Sequence, residues 1–237
     1  MSHQLKRITF TTCNGKIYPQ STKRRRIIGS SQTKTIDINT DLSPQTCESV
    51  APMKHLLNLL REHDVNKSVV KGSSAADFFV KLTEHDFSSY QDDVLTALRQ
   101  RDIEKLKDIK EEGRSLQCCN RFGESLIHMA CRRGFEDIVS YLLEAGVSLR
   151  VKDDVGRTPM HDAFWTAEPN FEMVKMMIFK EPQLLFISDN RGHTPLDYAR
   201  RNDWLQWNGF LNDTCQRICN ELKFSKFDLT DVHNNYR

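Results

Sequence analysis

The chain has 237 residues, of which 38% are hydrophobic and 28% charged, and its formal net charge at neutral pH is +2. This composition is typical of a soluble globular protein, and no apolar run is long enough to predict a membrane span. The chain has seven cysteines, and none of them form a Cys-x-x-Cys pair. Its first residues lack the apolar stretch of a secretory signal. Together these features favour reduced thiols in the cytoplasm or the nucleus.

Residues 1–50 are predicted to be a disordered basic segment. They have little apolar periodicity and carry eight Lys or Arg against three acidic residues. Asn14-Gly15 is typical of a hairpin turn, but an isolated two-stranded hairpin is marginal in water, so the segment is still predicted to lack stable structure. The basic cluster Lys23, Arg24, Arg25 and Arg26 resembles a nuclear localisation signal, and the alternative is a solvated charge run in a tail.

Residues 51–90 are predicted to form a helical cap over the N-terminal end of the domain that follows. A helix is expected over residues 52–63, because Pro52 suits the first helical position and leucines recur at helical spacing. A second helix is expected over residues 74–82, with Phe78 and Phe79 on its apolar side. The first helix would pack on that domain or, alternatively, dock on a partner protein.

One sequence motif, which we call the phrase, occurs three times between residues 120 and 200. Its copies are NRFGESLIHMACRRG (120–134), DDVGRTPMHDAF (153–164) and DNRGHTPLDYAR (189–200). Gly123 and Gly156 are 33 residues apart, and Gly156 and Gly192 are 36 apart. In each copy the glycine would supply the positive φ of a tight turn, and a Ser or Thr would then cap a short helix.

A second helix is predicted after the phrase, with its apolar side chains in one stripe at helical spacing. The stripe consists of Ile138, Val139, Leu142 and Leu143 in one copy and of Met173, Val174, Met177 and Ile178 in the next. Ala97 and Gly113 lie 33 residues before Ala130 and Gly146. Residues 91–119 are therefore predicted to be an incomplete copy that caps the array.

A period of 33 residues with a Gly-x-Thr-Pro-Leu-His turn opening a helix resembles the ankyrin repeat. The resemblance implies an all-α solenoid of helix-turn-helix repeats with short hairpin turns, in segments 91–119, 120–152, 153–188 and 189–212. The segment 153–188 is longer by three residues, which we place in the loop over residues 165–170 and near Pro182. Residues 213–237 are expected to be a C-terminal extension, with little order from Glu221 to Arg237.

The resemblance also implies that the turns and the first helices form a concave face that binds a partner protein. Residues not needed for packing lie beside each turn glycine and at two positions of each first helix. They are Arg121, Phe122, Glu124, Met129, Arg132, Asp154, Val155, Arg157, Asp162, Trp165, Asn190, Arg191, His193, Tyr198 and Arg201. Arg and aromatic residues of this kind are typical interface anchors, whereas the alternatives are solvated arginines and a Trp165 packed against Phe171.

The sequence offers few groups for catalysis. His128 and Cys131 share a predicted helix, but His128 and His161 occupy the histidine place of the phrase, where the resemblance implies a structural hydrogen bond. His161 and Asp162 point apart on a helix and would not hold one metal ion together. We therefore expect no catalytic, cofactor or metal site.

The predicted function is non-catalytic binding of an unidentified protein partner, as an adaptor, scaffold or inhibitor. The chain is expected to be monomeric and cytoplasmic or nuclear, without a membrane or small-molecule ligand. The alternative is a nuclear transcription cofactor whose basic N-terminal segment serves import or contacts nucleic acid.

Overall fold

The computed structural model describes residues 9–13, 16–20 and 50–224. The first two stretches are the antiparallel strands β1 (Thr9–Cys13) and β2 (Lys16–Gln20), and they belong to a different compact unit from residues 50–224. The two strands are rich in β-branched and aromatic residues and pair in the hairpin that the sequence analysis considered marginal, whereas disorder of residues 1–50 as a whole stays a prediction. The dipeptide Asn14-Gly15 and the basic cluster Lys23 to Arg26 lie outside the described residues.

Residues 50–224 are mostly helical. The first elements are α1 (Pro52–Glu62), the strand β3 (Val70–Lys71), a 3-10 turn (Ala76–Phe78), α2 (Glu84–Ser88), α3 (Asp92–Gln100) and α4 (Ile103–Glu111). They are followed by α5 (Leu126–Arg133), α6 (Glu136–Glu144), α7 (Pro159–Phe164), α8 (Phe171–Lys180), a 3-10 helix (Pro182–Phe186) and the strand β4 (Ile187–Ser188). The last are the 3-10 helices Pro195–Tyr198 and Arg201–Asp203 and the helix α9 (Trp204–Phe224). None of the helices in the described part of the chain is long and apolar enough to cross a membrane.

The predicted repeats are confirmed as stacked helix pairs. The pairs are α3 with α4, α5 with α6, and α7 with α8, and both apolar stripes of the second helices are buried. Ala97, Ala130 and Ala163 are also buried, and small side chains at this place let the first helices α5 and α7 lie directly against each other. Residues 91–119, predicted as an incomplete copy, supply the first helix pair.

The last copy departs from the pattern. Its first helix is only the 3-10 helix Pro195–Tyr198, and Ala199 and Arg200 are already extended. The predicted boundary at residue 212 is wrong, because α9 continues to Phe224 without a break. Buried residues recur every three or four positions from Trp207 to Leu222, so one apolar stripe holds the whole helix against the stack.

The helix α1 has the predicted position in the sequence but not the predicted place in the fold. It packs against α9 and the last copy, at the C-terminal end of the array rather than the N-terminal end. His55 Nε2 lies 2.8 Å from Asn212 Oδ1, and Asn208 Nδ2 donates to the carbonyl of Val50 at 2.9 Å. Because Leu56 and Leu60 are fully buried there, the prediction of an N-terminal cap is wrong for this helix.

Residues 64–90, which we call the strap, run along the stack from its last repeat to its first. The N–H of Gly72 donates to Ser188 O at 2.9 Å beside the parallel pair β3–β4, and the N–H of Val80 donates to Arg150 O at 2.8 Å. Ser115 Oγ donates to Asp86 Oδ1 at 2.6 Å near the first repeat. The helix predicted over residues 74–82 is wrong, because only the short 3-10 turn is helical there, Phe79 is extended, and the N–H of Val80 donates to the repeats.

Candidate functional site

Each repeated phrase builds the same turn. We call residues 120–124 turn 1, residues 153–157 turn 2 and residues 189–193 turn 3. The first side chain of each turn accepts two backbone N–H groups, as Asp153 Oδ1 does from Val155 at 3.1 Å and Arg157 at 2.7 Å. The glycine follows with a φ of +76° in Gly123, +84° in Gly156 and +90° in Gly192.

Backbone hydrogen bonds join the turns to one another. The N–H of Asp154 donates to Phe122 O at 2.8 Å, and the N–H of Asn190 donates to Val155 O at 3.0 Å. The side chain of Asn190 also donates to Asp154 O at 3.1 Å. The three turns therefore form one rigid row, and the two side chains before each glycine are exposed along it.

Several residues predicted for binding do present apolar surface. The exposed fraction is 53% for Trp165, 49% for Phe122 and 37% for Val155. The Arg121 guanidinium lies over the Phe122 ring, 4.7 Å from its centroid. Trp165 packs beside Tyr198 with the ring centroids 5.3 Å apart, whereas Phe171 stacks on Phe210, so the alternative of a Trp165–Phe171 contact is wrong.

Other predicted residues are engaged inside the protein. Arg132 bonds to Glu124 at 2.7 Å and to Asp162 at 3.0 Å, which joins two repeats and raises the pKa of Arg132 above its usual range, chiefly through the Asp162 hydrogen bond. Because only 1% of Asp162 is exposed, the structure removes it from the candidate surface. Glu124 and Arg132 remain partly exposed but are already paired.

A third group is half-buried or bonded locally. Met129 Sδ accepts the Tyr90 hydroxyl at 3.3 Å, Tyr198 donates to Asp189 at 2.7 Å, and Arg157 is paired with Asp153 at 2.7 Å. Asp154, Asn190, Arg191, His193 and Arg201 are exposed, with the Arg201 guanidinium 5.6 Å from the Trp204 ring. Arg201 begins a separate 3-10 helix, because the first helix of the last copy ends at Tyr198. The other predicted residues except Asp162 lie on the turns or at the first helices, and we call them the candidate face.

The histidines of the phrase have the structural role that was expected of them. His128 Nε2 donates to Arg157 O at 3.0 Å, and its Nδ1 accepts from Ser125 N–H and Oγ. His161 repeats this with His193 O at 3.1 Å and with Thr158. Burial lowers the pKa of both rings, to about 4 for His161. Each neutral ring thus joins its own helix cap to the turn of the next repeat.

The last copy carries Asp197 in the histidine place. Asp197 Oδ2 accepts from the N–H of Thr194 at 2.7 Å and from its hydroxyl at 2.8 Å. The carboxylate closes the local cap as the imidazoles do, but α9 follows instead of another turn. In the last copy an aspartate is sufficient for the cap. The second bond that His128 and His161 make, to a carbonyl of the following turn, has no counterpart there.

The groups considered for catalysis are not arranged for it. Cys131 is fully buried, its Sγ lies 3.7 Å from Met177 Sδ, and burial raises the thiol pKa well above its usual value. Both ring nitrogens of His128 are engaged in the hydrogen bonds described above. Within residues 50–224, no cluster of His, Cys, Asp and Glu has the geometry of a metal site.

A cavity of about 430 Å³ opens on the candidate face beside turn 3. It is lined by Trp165, Arg191, His193, Asp197, Tyr198 and Arg200. Arg200 was missed by the sequence reasoning, because the corresponding residues Cys131 and Phe164 are buried in the earlier copies. Since the 3-10 helix ends at Tyr198, Arg200 turns outward and donates to Ala167 O at 3.0 Å.

Comparison with protein families agrees with this geometry. The family model for ankyrin repeats matches residues 94–185 in three copies. The match begins within α3 and ends in the 3-10 helix that precedes β4, so it covers the helix pairs of the stack.

Several curated proteins are similar to part of the chain. ADP-ribosylation factor GTPase-activating protein AGD4 of Arabidopsis thaliana is 29% identical over 122 residues, which are 51% of this chain and 15% of that protein. Neurogenic locus notch homolog protein 2 of Homo sapiens is 33% identical over 97 residues, 40% of this chain and 4% of that protein. Rabankyrin-5 of Mus musculus is 31% identical over 80 residues, 33% of this chain and 7% of that protein. The chain thus matches only a small part of the length of each of these relatives.

Proposed function

We propose that this chain, whose residues 94–185 match the ankyrin-repeat family model, is a non-catalytic adaptor, scaffold or inhibitor, because ankyrin repeats generally mediate protein–protein interaction. It binds its partner protein through the candidate face. The relatives carry this kind of repeat within much longer proteins, so their other activities are not transferred to this chain.

The observation that supports this face most strongly is the exposure of Trp165. The Trp165 side chain is 53% exposed, and its ring packs against Tyr198. Because this contact already restrains the ring, Trp165 loses little conformational freedom when a partner binds. Phe122 stands exposed in turn 1 on the same face, beside Arg121. Trp, Arg and other aromatic residues dominate the binding energy of protein interfaces.

The engaged polar residues support a binding role over a catalytic one. Glu124, Arg132 and Asp162 bond to each other across two repeats, and His128 and His161 bond to backbone carbonyls. These groups fix the spacing of the repeats. A rigid scaffold with exposed aromatic side chains suits recognition, since little ordering is needed when the partner binds.

Affinity capture with mass spectrometry tests the proposal. The double variant Phe122→Ala with Trp165→Ala is compared with the control Leu205→Ala with Phe224→Ala, which removes exposed apolar side chains from α9. All four residues are at least 49% exposed, so we expect both variants to fold as the wild type does. We expect partners to be lost with the first variant and retained with the control. Equal retention by both variants would refute the candidate face.

A further inference from the structure

We propose that the cavity beside turn 3 receives an acidic peptide segment of the partner, with an apolar side chain on Trp165 and flanking carboxylates on Arg191 and Arg200. This inference deepens the proposed function, on which it rests, by giving the chemistry of the partner. It concerns the six residues that line the cavity of about 430 Å³.

The aromatic part of the cavity is exposed and fixed in position. Tyr198 lies between Trp165 at 5.3 Å and His161 at 5.3 Å, measured between ring centroids, and its hydroxyl donates to the buried Asp189. This hydroxyl is therefore engaged, and the Trp165 ring supplies apolar surface for a ligand. A polar ligand alone would leave that surface unused.

The hydrogen-bonding groups at the cavity are unequally engaged. Asp189 has 1% exposure and accepts from Tyr198 and from the N–H groups of Arg191 and His193. Asp197 accepts from Thr194 through one of its oxygens. In contrast, the Arg191 guanidinium is exposed and has no hydrogen-bond or ion-pair partner within residues 50–224. Asp197 is itself exposed and accepts through Oδ2 only, so two guanidinium groups, of Arg191 and Arg200, face the cavity against this one carboxylate. A ligand with acceptors would complement the guanidinium donors.

Arg200 adds a second set of donors on the other side of the cavity. One of its terminal nitrogens donates to Ala167 O at 3.0 Å, which holds the exposed side chain in place and leaves the remaining guanidinium donors for a ligand. Guanidinium groups bind carboxylates through paired hydrogen bonds. A cationic ligand would meet two arginines here, so an aromatic cage for lysine is disfavoured.

The neighbouring surface extends the same chemistry. Arg201 is exposed directly after Arg200, and Arg121 and Arg133 are exposed in turn 1 and at the end of α5. Of the acidic residues nearby, Asp154 is exposed and Glu124 is paired with Arg132. The others, Asp153, Asp162 and Asp189, are buried and bonded within the protein. These exposed arginines therefore add positive charge outside the cavity, and the acidic segment itself is assigned only to the cavity.

Selection from a library of short random peptides tests the inference with the full chain. The wild type is the target, and Trp165→Ala and the double variant Arg191→Glu with Arg200→Glu are used for counter-selection. Lys54→Glu with Lys105→Glu is the matched control, because it makes the same charge change at exposed residues of α1 and α4. We expect the wild type to enrich peptides with an apolar residue between Asp or Glu residues.

The enriched peptide is then titrated against each protein by fluorescence anisotropy. We expect the affinity for the peptide to fall about tenfold or more in the double variant Arg191→Glu with Arg200→Glu, because that is the loss typical of a charge-assisted hydrogen bond. In the control the affinity should stay near the wild-type value. The same fall is expected when Glu and Asp of the peptide are replaced by Gln and Asn.

Three outcomes would overturn the inference. They are selection of neutral or basic peptides, failure to enrich any peptide, and binding that the charge-reversed pair does not weaken more than its control. The proposed function is judged separately, because the capture experiment uses neither the peptides nor Arg191 and Arg200. If the peptide test fails but partners are lost with the double variant Phe122→Ala with Trp165→Ala, the candidate face is supported as the binding surface and only its acidic ligand is rejected.

Discussion

At the scale of single residues, His161 connects two repeats only while its ring is neutral. Its Nε2–H donates to His193 O, and its Nδ1 accepts from the N–H and hydroxyl of Thr158. A protonated ring would place a second N–H against the Thr158 N–H. Burial of the side chain is the main cause that lowers the folded-state pKa of His161 to about 4.

Acidification should therefore destabilise the fold through this residue. Between pH 6.5, the usual histidine value, and pH 4, the unfolded chain binds a proton that folded His161 does not, so stability falls as pH falls. The loss at pH 4 is about 3 kcal/mol from His161. Urea unfolding across this range measures it, and His161→Gln should flatten the profile. An unchanged slope in that variant, equal to the slope of the exposed control His193→Gln, would contradict the assignment.

The turn glycines allow a matched comparison at the same scale. Gly156 and Gly192 both have positive φ, but a Cβ on Gly156 would lie 2.7 Å from Asn190 Oδ1, whereas nothing lies within 4 Å at Gly192. Gly192→Ala should cost about 1–2 kcal/mol from backbone strain alone, and Gly156→Ala should cost clearly more. Thermal unfolding measures both losses. Equal losses would show that the contact between turns 2 and 3 contributes nothing.

At the scale of elements, the docking of α1 on α9 closes the C-terminal end of the stack. Leu56 is fully buried in α1, whereas its neighbour Leu57 is only partly buried. Leu56→Ala should destabilise the protein by about 2–5 kcal/mol, and Leu57→Ala by less. Urea unfolding gives these values.

Hydrogen exchange shows which end of the stack depends on α1. In Leu56→Ala we expect the backbone amides of α9 to lose protection before those of α3 and α4. Loss of protection first in α3 and α4 would instead support the N-terminal cap that the sequence predicted.

The repeats could be predicted because their signals are local. Gly156, Thr158, Pro159 and His161 place the turn, the cap and the helix start within a few residues of each other. The strap could not be predicted in this way, since Val70 pairs with residues near Ser188, 118 positions away. The helix predicted over residues 74–82 does not form; only the 3-10 turn Ala76–Phe78 is helical, and the N–H of Val80 donates to Arg150 O of the stack instead of to the preceding turn.

The candidate site was predicted in the same uneven way. The exposure of Trp165 could be predicted, because its place directly after α7 is set by the repeat, whereas its role in binding stays a prediction. Asp162 was misplaced because its burial depends on Arg132 of the preceding repeat, and Arg200 was missed because the last first helix is cut short. The position of a residue in the repeat predicts where its Cα lies. The contacts that its side chain makes with neighbouring repeats decide whether that side chain is exposed.

At the scale of residues 50–224, the strap contacts the last, middle and first repeats in turn. It joins parts of a stack in which each repeat otherwise touches only its neighbours. We therefore expect one cooperative unfolding transition. Fluorescence of Trp204 and Trp207 reports the C-terminal end, and pulsed labelling of the buried Cys118, read by mass spectrometry of its peptide, reports the N-terminal end. Separate midpoints for the two signals would contradict this coupling.

Site-specific photo-crosslinking in cells tests the central claim, protein binding through the candidate face, most directly. A photoreactive phenylalanine analogue is placed at position 165 or, as the control, at position 205 of α9, where Leu205 is 75% exposed. The account predicts a discrete crosslinked protein from position 165 and none of that identity from position 205. Crosslinks to the same protein from both positions, or from position 205 alone, would place binding elsewhere and contradict the account.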